Sequence, residues 1–125
     1  MHPNIISVDV SGKELIVKLT DGIAAENTED ITNEVRTKAD EVLKDVSDDS
    51  KANREVDTLV FDLTNVKYIS SAGLRMFADF SMEMEDRGCD YEVRNVPREK
   101  DRNVYRVFEL TGYTAAYKLT ILESD

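Results

Sequence analysis

Apolar and polar residues alternate with a period of two at the start of the chain. Ile6, Val8 and Val10, then Leu15, Val17 and Leu19, stand on either side of Ser11-Gly12. Successive side chains of a strand point to opposite faces, so this pattern predicts a hairpin with one buried face. Asp21-Gly22 is a turn-forming pair and is expected to break the second strand. From Thr28 to about Val46 the period becomes helical, with Ile31, Val35, Ala39, Val42, Leu43 and Val46 on one stripe. Asn27 is the expected N-cap, with Glu29 and Asp30 in the first turn, where the helix dipole favours acids. Residues 47–53 read as a polar, mobile loop.

Val56 to Leu63 is a compact apolar run of the kind a buried central strand carries, and Asn65 to Ser70 reads as a short connection. A second helix is expected from Ala72 to Arg87, with Met76, Phe77, Phe80 and Met84 inward and Gly88 as its C-cap. Tyr91 to Val96 is a further strand. Pro97 opens a third helix with Val104, Val107, Phe108 and Leu110 inward, ending at Thr111-Gly112, and a last strand runs near Tyr117 to Leu122. The order is an opening hairpin followed by alternating helices and strands. This implies an α/β fold with a mostly parallel central sheet flanked by three main helices. No internal repeat or Pro- or Ser-rich linker interrupts residues 1–125, which read as a single domain. All five glycines, Gly12, Gly22, Gly73, Gly88 and Gly112, are expected between the periodic segments.

Composition narrows the function classes. Of the 125 residues, 41% are hydrophobic and 34% charged, and the formal net charge is -10. Phosphate-backbone affinity comes from clustered Lys and Arg, so a direct nucleic-acid partner is not expected, nor is an anionic membrane surface. An acidic domain steers a basic protein surface toward itself. Cys89 is the one cysteine, which rules out an internal disulfide. With no signal-peptide pattern at the start, it points to a reducing cytoplasm. No apolar run approaches the ~20 residues that cross a bilayer, so membrane insertion is not expected.

Most routes to catalysis are closed, and an enzyme is not expected. The single histidine, His2, stands beside the N-terminus, so a Ser-His-Asp triad would depend on that terminal residue. Cys89 is a lone thiol with no candidate imidazole nearby and reads as structural. No Gly-rich phosphate loop or metal-ligand spacing is present, so no cofactor or metal is expected. Glu83, Glu85 and Asp86 fit the solvated face of the second helix. Asp62 closes a buried strand, where it either caps the next turn or acts as a phosphoacceptor. The second role wants a companion acidic pair for Mg²⁺, and Asp9 has no adjacent acid to make one.

One segment stands apart. Tyr68-Ile69-Ser70-Ser71-Ala72-Gly73-Leu74 lies where the second helix begins, and Ser71 is placed to be its N-cap. Ser71 either caps and nothing more, or uses the same helix end to carry a phosphate, which unpaired N–H groups and the positive dipole end tolerate. A phosphoryl group would add about -1.5 to -2 charges, and the helix end would offset at most ~2 kcal/mol. A dianion desolvated under a docked partner costs more, so phosphorylation would release a partner more readily than it would unfold the domain. Gly73 is expected to keep this helix start uncrowded for another protein's active site.

Leu59-Val60-Phe61-Asp62-Leu63-Thr64-Asn65-Val66 followed by Ile69-Ser70-Ser71-Ala72-Gly73-Leu74 resembles the signature of STAS domains, the family of the anti-sigma factor antagonists. Asn95-Val96 and Val107-Phe108-Glu109-Leu110-Thr111-Gly112-Tyr113 extend the likeness over nearly the whole chain. The resemblance implies a module that binds an anti-sigma factor which is also an ATP-dependent serine kinase. It implies phosphorylation at Ser71, with Ser70 as the alternative acceptor at a position where many relatives carry Asp, and a serine phosphatase that restores the binding form. The contact surface is expected around Ser70, Ser71, Gly73, Leu74 and Arg75, with the loop of Asp21, Gly22 and Ile23 adjacent. Two other readings stay open: a STAS scaffold or ligand-sensing module that does not switch, and a small α/β enzyme or nucleotide-binding protein.

Overall fold

The start of the chain forms the expected two antiparallel strands, β1 (Ile5–Ser11) and β2 (Glu14–Ile23), closed by Gly12 with φ near +61°, but in β1 Ile6 and Val10 of the alternating set are exposed and Ile5 is buried instead. The structure, a computed structural model, describes residues 3–43, 56–97 and, for the backbone alone, 118–121. Helix α1 (Ala25–Val42) follows, then β3 (Thr58–Ile69), α2 (Ser71–Asp86), β4 (Asp90–Val96) and β5 (Lys118–Ile121). The expected loop at 47–53 and, past Pro97, the expected third helix lie outside the described residues.

The strands form one sheet in the order β1-β2-β3-β4-β5. β2, β3, β4 and β5 run parallel to one another, and only β1 is antiparallel to its neighbour. The largely parallel α/β sheet expected from the element order is therefore present. One face of it carries Leu15, Val17 and Leu19 from β2, Leu59, Phe61 and Leu63 from β3, and Tyr91 and Val93 from β4. Ile31, Val35 and Ala39 of α1 and Met76, Phe77, Phe80 and Met84 of α2 pack against it, all of them buried. Phe61 sits at the centre, its ring 5.1 Å from Phe77 edge-on, 5.4 Å from Phe80 and 6.0 Å from Tyr91. Each such aromatic pair adds about 0.5–1.5 kcal/mol beyond the area it buries.

The alternate positions face the other way. Rows Ile16-Val60-Glu92 and Lys18-Asp62-Arg94 cross β2, β3 and β4. Arg94 there forks between two carboxylates, donating to Glu14 at 2.7 Å and to Glu92 at 2.9 Å. Its hydrogen bonds to Glu14 first and Glu92 second hold the guanidinium pKa above its ordinary value. Glu92 is the one buried charged residue among those described.

Several element boundaries differ from the sequence reading, for physical reasons. Asp21-Gly22 does not break β2: Asp21 takes φ near +63°, a conformation Asp tolerates, and the strand continues to Ile23. Gly22 accordingly lies within a strand. Residues 65–69 are not a connection but the second half of β3, paired with β2 through shifts in register that a regular alternation does not reveal. Asn27 is not the N-cap of α1. That position is Ala24, and Asn27, three residues on, accepts from the Ala24 amide through Oδ1 at 2.8 Å. Helix α2 ends one residue earlier than expected, at Asp86, with Arg87 at the C-cap and Gly88 just beyond it at φ near +69°.

Candidate functional site

The C-terminal halves of β2 and β3 run side by side, pairing Asp21 with Val66, Gly22 with Tyr68 and Ile23 with Ile69. The chain then turns directly into α2. The backbone holds this turn: the Ser70 amide donates to the Ile23 carbonyl at 2.9 Å, and the Leu74 amide to the Ser70 carbonyl at 2.9 Å. The segments 21–23 and 70–75, expected to be adjacent, are thus brought together, although 21–23 is strand and not loop.

The capping serine is not the one expected. Ser70, not Ser71, is the N-cap; its extended backbone lets Oγ accept from the Gly73 amide at 3.2 Å. Ser71 is the first residue of the helix, and its side chain is exposed. Adjacent serines differ by a single step of helical phase, which amphipathic spacing does not resolve. Helix α2 has no acidic residue in its first turn, so the positive end of its dipole is unbalanced by a side-chain charge there. The amides of Ser71 and Ala72 belong to that turn, where no preceding intrahelical carbonyl is in reach.

Gly73 is buried and points inward. A methyl group in its place would overlap the Ile23 carbonyl oxygen and stand 3.1 Å from the carbonyl carbon and 3.0 Å from Cγ2 of Ile69. The glycine therefore lets the helix start touch β2; it does not clear space for a visiting active site, as the sequence suggested. Ile23 and Leu74 are buried as well, at 0% and 4% exposure, and serve the site by packing beneath it. Arg75 and Asp21 are on the surface. Arg75 lies 3.7 Å from Asp79 on its own helix, and Asp21 lies 3.9 Å from Lys67.

Tyr68 opens the segment that stands apart in the sequence, but it was not among the expected contact residues. It is 43% exposed, and its ring lies over Gly22 so closely that a Cβ there would overlap it. Gly22 is further fixed from behind, its carbonyl accepting from Asn4 Nδ2 at 3.0 Å and Asn27 Nδ2 at 2.8 Å. The pairing of Gly22 with Tyr68 was concealed by the expected break at Asp21-Gly22.

Asp62 does not close a strand; it sits within β3 with its carboxylate fully engaged. Oδ1 accepts from the Thr64 amide at 3.0 Å and Thr64 Oγ1 at 2.6 Å, while Oδ2 accepts from Asn95 Nδ2 at 3.1 Å. The local backbone cap is therefore present. Among the described residues no cluster of three or more His, Cys, Asp or Glu side chains could hold a metal ion. Among the same residues no helix is long and apolar enough to cross a membrane.

Three solved structures share this architecture. An anti-sigma factor antagonist from Mycobacterium paratuberculosis superposes with a TM-score of 0.66 at 17% identity, covering 95% of this chain and 88% of that one. A putative anti-sigma factor antagonist from Thermotoga maritima gives 0.67 at 20% identity, over 91% and 84%. The anti-sigma factor antagonist SpoIIAA in its unphosphorylated form gives 0.63 at 14% identity, over 90% and 85%. At such identities the likeness establishes the fold. No curated protein matches the sequence significantly. The family assignment rests on the sequence itself: residues 5–119 match the STAS domain, the span that contains the hairpin, the Ser70-Ser71 turn and the parallel sheet, and the chain belongs to the STAS domain family.

Proposed function

We propose that this chain is an anti-sigma factor antagonist that acts in the cytoplasm as a substrate and binding partner, not as an enzyme. In its unphosphorylated form it binds an anti-sigma factor with serine-kinase activity. The kinase transfers the γ-phosphoryl group of ATP to Ser71 Oγ, ADP leaves, and the complex dissociates; a serine phosphatase returns the hydroxyl. The observation that carries this reading is the separation of roles at the helix start. Ser70 supplies the cap, and Ser71 stands exposed at the end of an α2 dipole with no acidic residue in its first turn. The names of the three structural neighbours, one of them specified as unphosphorylated, support the same role.

The partner surface comprises Ser71, Arg75 and Asp21, with Ser70 half-buried at its centre and Tyr68 and Lys67 exposed at its margin. Gly73, Leu74 and Ile23 hold that surface in place from beneath. A phosphate dianion trapped under a docked partner costs about 3 kcal/mol or more, over a hundredfold in affinity.

Incubation with the cognate kinase and ATP, followed by intact mass and peptide mapping, tests the reading. One phosphoryl group is expected, on Ser71, lost in Ser71→Ala, retained in Ser70→Ala, and accompanied by release of the kinase. No modification by a kinase shown to be active on another substrate refutes the switch. Undiminished binding of Ser71→Asp points to the non-switching scaffold.

A further inference from the structure

Ser71, Arg75 and Asp79 follow one another at intervals of four along α2 and so form one row on its surface. The Cα–Cβ bonds of a helix tilt toward its N-terminus, so Arg75 can reach back toward Ser71, while in this structure its Nε faces Asp79 Oδ1 at 3.7 Å. An acid placed four residues before a base is the favourable order, and the reverse order is the poorer one. Arg75 and Asp79 stand in that reverse order. Their separation is a long 3.7 Å, and their side chains are 80% and 57% exposed. Such a pair contributes little and is easily exchanged. Asp21 and Lys67, also at this end of the sheet, face each other across β2 and β3 at 3.9 Å.

We propose that Arg75 is the built-in counter-charge of phosphorylated Ser71, leaving Asp79 to pair with the phosphate when Ser71 is modified. This rests on Ser71 being the acceptor. A phosphoserine four residues before Arg75 has the favourable order, carries up to two charges, and offers oxygens that match the two-pronged guanidinium. Phosphorylation then changes the partner surface twice: it adds a dianion, and it withdraws an exposed cation that an acidic group of the partner could otherwise have met. Arg75 acts as a positioning residue that holds the phosphate along the helix.

The test installs phosphoserine at position 71 of the full chain by codon suppression, so it does not depend on any kinase, and follows the phosphate by ³¹P NMR titration. A phosphoserine ordinarily loses its second proton near pH 6. Contact with Arg75 stabilises the dianion, so the titration midpoint lies below that of Arg75→Gln by about 0.5 pH unit. Asp79→Asn, which removes the competitor, is expected to keep the midpoint low or lower it further. Lys67→Gln, an equal loss of charge off this row, is expected to move it by less than half as much. Equal midpoints for the parent and Arg75→Gln, or equal shifts in Arg75→Gln and Lys67→Gln, overturn the proposal. Failure of a kinase to modify Ser71 would instead refute the acceptor assignment, and it is read in a separate experiment.

Discussion

Replacing Gly73 with alanine probes the contact on which the helix start depends. Within a helix, alanine is favoured over glycine by up to ~1 kcal/mol, so on propensity alone the variant should be more stable. The structure predicts the opposite. The new methyl group would overlap the Ile23 carbonyl oxygen, a backbone atom that already accepts the Ser70 amide at 2.9 Å, and would stand 3.0 Å from Cγ2 of Ile69. Neither the β2 backbone nor a fully packed isoleucine can move aside cheaply. Overpacking of this kind costs about 1–3 kcal/mol, and weakening the Ser70–Ile23 hydrogen bond adds roughly 0.5–1.5 kcal/mol. After the propensity gain, a net loss of about 2 kcal/mol remains, equivalent to roughly 8 °C in Tm for a domain of this size. Urea titration followed by far-UV circular dichroism measures it, with an unchanged m-value confirming that the native state alone is affected. A variant as stable as the parent, or more so, would refute the account of how α2 is seated on β2.

Other substitutions separate roles that lie close together. Ser70→Ala is expected to lower stability by about 1 kcal/mol through loss of the cap, whereas Ser71→Ala should change it by less than about 0.5 kcal/mol; equal losses in thermal melts would contradict the capping assignment. Arg94→Gln leaves the buried Glu92 without its guanidinium and should cost about 1–3 kcal/mol in the same urea assay. Because the folded state raises an arginine pKa that is already far above neutral in the unfolded chain, the stabilisation from Arg94 is complete across the neutral and mildly alkaline range. The gap between parent and Arg94→Gln therefore should not narrow through Arg94 deprotonation as pH rises from 7 to 10. Gly22→Ala pushes against the Tyr68 ring, so Gly22→Ala and Tyr68→Ala should be non-additive by at least about 0.5 kcal/mol in a double-mutant cycle. Additive losses would mean that the ring does not rest on Gly22.

The elements that depend on simple periodicity were legible in the chain. Leu15, Val17 and Leu19, the α1 stripe from Ile31 to Ala39, and Met76, Phe77 and Phe80 all occupy the core positions their spacing implied. The misreadings concentrate where β2, β3 and α2 meet. Asp21-Gly22 carries the chemistry of a turn, but a parallel ladder with β3 carries the strand through it, with Asp21 absorbing the positive φ. The shifted pairing of residues 65–69 conceals a strand behind an irregular apolar pattern. At the helix start, local sequence fits either serine as a cap, and the choice is made by a distant atom, the Ile23 carbonyl that binds the Ser70 amide. Gly73 was noticed for the right segment and the wrong reason, because its neighbour in space lies 50 positions away in sequence.

The order of strands in the sheet repeats their order in the chain. Each strand therefore finds its partner already synthesised: β3 lies down on β2, Leu59 beside Leu15, and β4 on β3, Tyr91 beside Leu59. A growing polypeptide emerges at roughly 5–20 residues per second, far more slowly than local structure forms. This topology lets the sheet widen by one strand at a time, with no need to insert a late segment between earlier ones. All the residues of the Ser70-Ser71 turn and of the strands that support it belong to the first three strands and α2. The proposed partner surface can thus take shape on the ribosome before the far edge of the sheet exists.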